Sequence, residues 1–274
     1  MYMKYRLAVS LVVYKTPISQ INSVINTLLT GAGVPISVHI FDNGNSIDLK
    51  EFSISMGFHY HSLGYNIGFG RGHNYIFNTL DPNIEYILFL NPDVFLNGSD
   101  LHKILSVHSS NKNCGLLSPK LIYQDGSLQN ICRILPNPVQ LIRRRFSKIS
   151  NELGNIDFTR LKNESGLVEV PFIHGACIFV RYKVFKEVGG FDPRYFLYME
   201  DLDLCRKIQA KNSVCYFPEV SAIHCHEKGS YKSLKLLIFH LISALRYFNK
   251  WGWIVDKQRD SINSFFMKTL VNND

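Results

Sequence analysis

The sequence predicts an α/β fold with a mostly parallel central sheet flanked by helices. Three observations predict it. Apolar runs without polar alternation recur through the first half, the pattern of strands covered on both faces. Stretches with apolar residues at helical spacing separate those runs, so the connections read as crossovers. Several runs end in a polar or acidic residue, and in such sheets ligands sit beyond the carboxyl ends of the strands.

Taken in order, "RLAVSLVVY" (6–14) is the first strand. The apolar stretch around it is too short for a secretory leader with a cleavage site and ends in Lys-Thr-Pro. Ile18, Ile21, Val24, Ile25, Leu28 and Leu29 then recur at helical intervals, with Gly31 as a C-cap. "ISVHIFDNG" (36–44) and "FHYHSLG" (58–64) are the next strands, and "FGRGHNYIFNTL" opens a helix after glycines. "EYILFLNPDVFL" (85–96) is the fourth strand. Together these place Tyr14, Asp42 and Asp93 around one crevice.

The second half is less regular. Residues 124–169 are rich in Asn, Ser, Pro and Arg and read as an excursion with short elements. "VEVPFIHGACIFVRYKVF" (168–185) returns as a strand, and a helix begins near Tyr182. Residues 189–212 read as a loop entering a helix, "SVCYFPEVSAIH" as a strand, and 232–250 as a long apolar and basic helix. No repeat and no linker interrupts the chain, so one integrated domain is expected over 1–274.

Composition narrows the partners. With 46% hydrophobic residues in 274, the chain can bury a full core, and no stretch is long and apolar enough to predict a transmembrane helix. A formal charge of +8 favours anionic partners such as nucleotides, phosphorylated lipids or a membrane surface. No nucleic-acid-binding module is present, so nucleic acid is not an expected partner. Six cysteines without C-x-x-C spacing read as reduced thiols of a cytoplasmic protein.

Asp93, beside Asn91 at a strand mouth, has two readings: a polar turn, or a hard-cation site in which a carboxylate and substrate phosphates surround Mg2+ or Mn2+. A second acidic cluster, Glu200-Asp201 with Asp203, follows a glycine pair and an aromatic loop, and His224 and His226 follow the next strand.

The ordered set "VVYKT", "FDNGNS", "GYNIGFGRGHN", "LNPDV", "HGACIFVRYKVFKEVGGFDPRYFLYMEDLDLCRKI" and "AIHCHEKGS" resembles the inverting family-2 glycosyltransferases. It is most similar to the rhamnosyltransferase-like branch of bacterial surface-polysaccharide synthesis. The resemblance covers about residues 5–250, and its most specific part is the Gly-Gly-Phe-Asp to Glu-Asp-x-Asp-Leu-Cys-x-Arg block. It implies a GT-A fold, with a nucleotide-sugar-binding half over about 1–95 and an acceptor-binding half over about 96–274. It also implies nucleotide-sugar donors and a divalent metal, Mg2+ or Mn2+.

Roles carry over position by position. Asp42 resembles the acidic residue that accepts from N3–H of a pyrimidine; the other reading, an Asx-turn closing "DNG", is compatible with that binding. Val12 and Tyr14 resemble residues flanking the base, with core packing as the other reading of Tyr14. In the glycine loop, Gly68, Gly70 and Gly72 permit close backbone approach, and Arg71 is expected at base or phosphate. Asn66 belongs to the same nucleotide-sugar set, or with Asn74 caps the following helix. Asn91 and Asp93 stand where many relatives carry Asp-x-Asp, so the diphosphate takes a larger share of the metal's shell. His224 resembles the histidine completing that shell, with His226 as the alternative.

Asp201 resembles the catalytic base, Glu200 a residue orienting it or the acceptor, and His174, Gly175 and Asp192 acceptor or loop residues. Asp203 reads as charge at a helix N-terminus, and Arg206 as the partner of an acidic group or phosphate. The favoured donor is dTDP-rhamnose, with a UDP-sugar and another hexosyl group as the alternative. A sugar nucleotidyltransferase wants a basic N-terminal phosphate loop that "VVYKTPISQ" lacks. Intact Asp93 and Asp201 oppose a non-catalytic carbohydrate-binding protein.

Two cationic segments suggest an anionic membrane surface. In 140–150 these are Arg143, Arg144, Arg145 and Lys148; in 232–253, Lys232, Lys235, Arg246 and Lys250 stand beside Trp251 and Trp253. The expected acceptor is a saccharide on a polyprenyl diphosphate, met by a peripheral enzyme at the inner face of a bacterial plasma membrane.

Overall fold

A computed structural model describes residues 6–146, 161–225 and 233–271. The strands are β1 (Leu7–Val13), β2 (Ile36–Asp42), β3 (His59–His61), β4 (Tyr86–Leu90), β5 (Val94–Phe95), β6 (Cys114–Ile122), β7 (Cys132–Arg133), β8 (Val168–Glu169), β9 (Phe172–Ile173), β10 (Cys177–Arg181) and β11 (Ser213–His224). The helices are α1 (Ile18–Leu29), α2 (Ile47–Ser55), α3 (Phe69–Phe77), α4 (Leu101–Ser110), α5 (Pro138–Phe146), α6 (Tyr182–Glu187), α7 (Glu200–Ile208), α8 (Leu234–Trp251) and α9 (Lys257–Val271).

One sheet runs in the order β3-β2-β1-β4-β10-β6-β11-β5, with β8 also on β11. Strands β3, β2, β1, β4, β6 and β11 share one direction; β10, β5 and β8 oppose it. The expectation of a mostly parallel sheet holds by direction. The uninterrupted apolar strands are indeed covered on both sides: all seven residues of β1 and all five of β4 are buried. Helix α1 packs inward through Ile21, Val24, Ile25 and Leu28, the stripe its spacing predicts.

The chain reverses its lateral order at β1, which has β2 on one side and β4 on the other. Crevices form at such a switch point, at the carboxyl ends of the strands. The antiparallel β10 matters here. Because Cys177 pairs with Leu90, β10 begins where β4 ends, and the amide of Asn91 donates to the Ala176 carbonyl at 2.8 Å. Strand β11 ends at the same edge, with His224 paired to Val94 of β5. Residues 91–93, 174–176 and 224 therefore converge.

Some elements differ from expectation. The fourth strand is divided: β4 stops at Leu90, and Pro92 lies in a turn before the short β5. Helices α2, α4 and α9 and strand β6 were not expected. Helix α2 starts on Ser46, whose hydroxyl accepts the Leu49 amide, and buries only Leu49 and Ser53, so its sequence carries little apolar periodicity. Of the predicted excursion, β7, α5 and β8 are seen, and 147–160 lie outside the described residues.

Candidate active site

The turn after β4 carries Asp93, whose Oδ1 stands 3.4 Å from Nε2 of His224. The backbone fixes this pair, since the Cys225 amide donates to the Asp93 carbonyl at 2.9 Å. Gln129 fixes the ring. Its side-chain amide donates to the His224 carbonyl at 2.8 Å, which turns its oxygen toward Nδ1 of the same residue, also at 2.8 Å. Nδ1 is thereby directed at the Gln129 oxygen and Nε2 at the Asp93 carboxylate. A ring nitrogen and a carboxylate oxygen at this distance can share one cation, and the outer hydrogen bond is the usual support of a metal-binding imidazole. Among the described residues no group of three or more His, Cys, Asp or Glu is placed to hold a metal. One carboxylate and one imidazole fit Mg2+ or Mn2+ only where phosphate oxygens and water supply the remaining positions. His226, the alternative ligand, lies outside the described residues.

Asp201 stands at the first turn of α7. Its Oδ2 accepts the Gly175 amide at 3.0 Å and its Oδ1 accepts the Leu202 amide at 2.8 Å. Gly175 is glycine for a steric reason: a Cβ there would lie 2.9 Å from the Cβ of Asp201. Since Ala176 also bonds Asn91, the segment 174–176 joins the carboxylate of α7 to the turn of β4. Beside it, Glu200 is buried, with no hydrogen-bond partner for Oε2. Burial first, and then the neighbouring charge of Asp201, pushes its carboxyl up to about 8. Tyr198 and Met199, just before it, both have left-handed backbone (φ 69° and 68°). Two such residues in succession are strained, and strain of this kind gathers at functional turns.

The glycine loop meets the segment that precedes α7. Gly68 has φ 93°, and a Cβ on it would fall 2.4 Å from the Phe196 carbonyl oxygen. Phe69 donates its amide to that same oxygen at 3.0 Å. Arg71, expected at base or phosphate, is exposed and donates from Nε to the Pro193 carbonyl at 2.6 Å. Asn74 does not cap α3; it clamps the amide and carbonyl of Phe191 at 2.9 and 2.7 Å. Asn66 accepts the Gly68 amide at 2.8 Å and shapes the entry to α3. These bonds hold residues 66–74 against 191–196.

Asp42 forms the Asx-turn. It is buried, its oxygens accept the amides of Gly44 and Ser46 at 2.6 Å each, and Tyr60 donates to it at 3.0 Å. Val12 is buried beneath Gly72, which has no room for a Cβ beside the valine methyls. Tyr14 is 53% exposed at the mouth of β1, so it is not a core residue. His174 sits in the segment 174–176, and its amide donates to the Ile131 carbonyl at 3.0 Å.

Several residues expected at ligand or lipid serve to brace α7. Asp192 pairs with Arg194 and Lys250, and the Arg194 guanidinium holds its carboxyl well below the usual range. Asp203 is no surface charge at a helix end: it is buried and accepts from Lys250 and from the Trp251 indole. Arg206 is buried and bidentate on Asp256, at 2.6 and 2.7 Å, with its guanidinium over the Trp251 ring. Lys250 and Trp251 thus face inward, against the expectation that they meet headgroups. Arg246 bonds the Arg194 carbonyl, while Lys235 and Trp253 are exposed. Arg143 is exposed on α5, and Lys148 and Lys232 lie outside the described residues. Among the described residues no helix is long and apolar enough to cross a membrane. Five of the six cysteines are buried, and all six are free thiols.

Sequence reasoning passed over Gln129 and Asp256 and read Asn74 only as a cap. Each acts on a residue far away in the chain, and no local pattern marks it.

Comparison with known proteins identifies the family and the fold. The family described as Glycosyl transferase family group 2 matches residues 131–271. Rhamnosyltransferase WbbL of Escherichia coli is 32% identical over 82% of this chain and 86% of its own length. The N-acetylglucosaminyl-diphospho-decaprenol L-rhamnosyltransferase of Mycobacterium tuberculosis is 27% identical over 75% of this chain and 72% of its own. The low-salt glycan biosynthesis hexosyltransferase Agl10 of Haloferax volcanii is 28% identical over 68% of this chain, which spans only 57% of that relative's length. Among solved structures, GalNAc-T7 with UDP, GalNAc and Mn2+ superposes with a TM-score of 0.64 at 15% identity, covering 90% of this chain and 48% of that one. That likeness shows the fold, and it is the GT-A fold.

Proposed function

The chain belongs to glycosyl transferase family group 2, and on that premise we propose that it moves a sugar from a nucleotide diphosphate to a saccharide acceptor with inversion. The observation that carries this reading is the convergence of Asp201, held by the Gly175 amide, with the Asp93–His224 pair at one edge of the sheet. In this reading Asp201 accepts the proton of the acceptor hydroxyl as that oxygen bonds the sugar C1 and the bond from C1 to the diphosphate breaks. Asp93 and His224 hold the divalent metal, which when bound neutralises the charge that develops on the leaving diphosphate. Glu200, buried beside Asp201 with its carboxyl pushed up to about 8, orients that neighbour.

The donor we favour is dTDP-rhamnose, supported by the names of two relatives. A polyprenyl-diphosphate-linked acceptor is supported by the name of the mycobacterial relative. The base lies between Tyr14 and the loop that Asp42 shapes, with Asn66, Gly68 and Asn91 lining the nucleotide-sugar path. Acceptor contacts fall to His174, Gly175 and the loop that begins at Asp192. The enzyme works on the cytoplasmic side of a membrane.

A thermal-shift and transfer screen of nucleotide sugars with Mg2+ or Mn2+ tests the reading, because a ligand that binds only the native state raises its stability. Stabilisation and transfer with dTDP-rhamnose are expected. Transfer from a UDP-hexose alone would replace the donor, and no response to any nucleotide sugar would remove the function.

A further inference from the structure

Helix α8 is apolar on two sides. Its inner side buries Ser243, Ala244, Tyr247 and Phe248. Its outer side shows Leu234, Ile238, Leu241 and Leu245 to solvent, at 73, 47, 52 and 51% exposure, spaced by four, three and four residues. That spacing makes one continuous stripe over three turns, where a surface helix ordinarily carries polar residues. Past the helix end the exposure continues through Ile254 and Val255, at 86 and 75%.

Charge selects the occupant. Helix α8 has no acidic residue, and its exposed cations are Lys235 and Arg246. A second copy laid on this stripe would set cation against cation, whereas an anionic lipid surface complements both the apolar row and its charged margin. The inner side of the same helix holds the loop that enters α7. Ser243 donates to the Leu197 carbonyl at 2.8 Å, Phe239 packs on Phe196 with ring centroids 4.6 Å apart, and His240 meets Tyr198 at 5.3 Å. One helix diameter thus separates the outer stripe from the loop that delivers Asp201.

We infer that the outer face of α8 is a monotopic docking surface for an anionic bilayer, which holds the loop 194–199 about one helix diameter from acceptors carried in that bilayer. The docking rests on the glycosyl-transfer reading only for the nature of the acceptor. It also replaces the inward-facing Lys250 and Trp251 with an apolar row as the group that enters the interface.

The test is co-sedimentation of the full chain with vesicles of phosphatidylcholine alone and with added phosphatidylglycerol, at low and high salt. It needs neither donor nor acceptor, so its outcome is independent of whether the chain transfers sugar. Wild type is expected on the anionic vesicles and, at high salt, to be partly released. The double variant Ile238→Gln, Leu241→Gln should lose about tenfold or more in partitioning, as two apolar side chains leave the interface. Its thermal unfolding and its transfer to a soluble acceptor should match wild type, because both positions are exposed; Leu234→Gln with Leu245→Gln provides an independent pair. The inference is overturned if either pair sediments like wild type, if neutral vesicles bind equally well, or if wild type binds neither kind. A vesicle-free dimer that the same substitutions dissolve would assign the stripe to a second copy instead.

Discussion

Gly175 and Asp201 are built against one another: the glycine amide donates to Oδ2 at 3.0 Å, and the space a Cβ at 175 would need belongs to the aspartate's own Cβ. The proposed base is therefore aimed by backbone rather than by a side chain that could rotate away. Gly175→Ala must move one partner, and a displacement on the order of 1 Å at a reacting group costs about 10²-fold in rate. The expected result is a fall in kcat with little change in donor KM. Asp201→Asn keeps the size of the group and removes its basicity, for an expected loss on the order of 10²–10⁴ in kcat with donor binding retained. Steady-state kinetics separates these outcomes, and wild-type turnover in the asparagine variant removes Asp201 from its role.

Glu200 makes stability depend on pH. Its carboxyl rises from the ordinary 4.5 to about 8, through burial and then through Asp201. Between those values the folded chain holds a proton that the unfolded chain has released, so stability falls as pH rises from 4.5 to 8. Glu200→Gln is permanently neutral and should flatten that slope while slowing transfer. Urea unfolding across the interval checks it; an unchanged slope in the variant would place the proton elsewhere.

Gln129 touches neither substrate nor metal in the proposed site, yet it sets which nitrogen of His224 faces Asp93. Gln129→Leu frees the ring and should raise the Mn2+ or Mg2+ concentration for half-maximal activity by about 10–100-fold. Asp93→Ala should weaken nucleotide-sugar binding as well. Full wild-type activity in excess chelator would sink the metal-assisted reading.

The Arg206–Asp256 pair is almost wholly withdrawn from water, at 0 and 4% side-chain exposure. Removing one member strands the other charge, so Asp256→Ala should destabilise the fold by about 3–5 kcal/mol. Chemical denaturation measures this directly. A loss under about 1 kcal/mol, as for a solvated pair, would show that water reaches the guanidinium.

What was legible in the sequence were elements that declare themselves over a few residues. The apolar runs of β1, β2 and β4 and the stripe of α1 were found by periodicity, and the Glu-Asp block by resemblance. Pairings across long separations were not. Nothing near Arg206 names Asp256, and Asn74 looked like a cap because its partner, the backbone of Phe191, lies more than a hundred residues on. Helix α9 was missed because its sequence has a weak apolar stripe; it is tied instead by Asn263, which bonds both the amide and the carbonyl of Leu135.

The bracing of α7 also has a consequence for the order of synthesis. Asp203 and Arg206 find their partners 47–50 residues downstream, in Lys250, Trp251 and Asp256. A nascent chain therefore completes α7 well before Lys250, Trp251 and Asp256 have been made. The strands from β1 to β4 can pair early through nearby crossovers, whereas α7 waits with two buried-to-be charges still in water. A stop codon anywhere between residues 210 and 249 would leave every proposed catalytic carboxylate in the product and deny α7 the partners of Asp203 and Arg206.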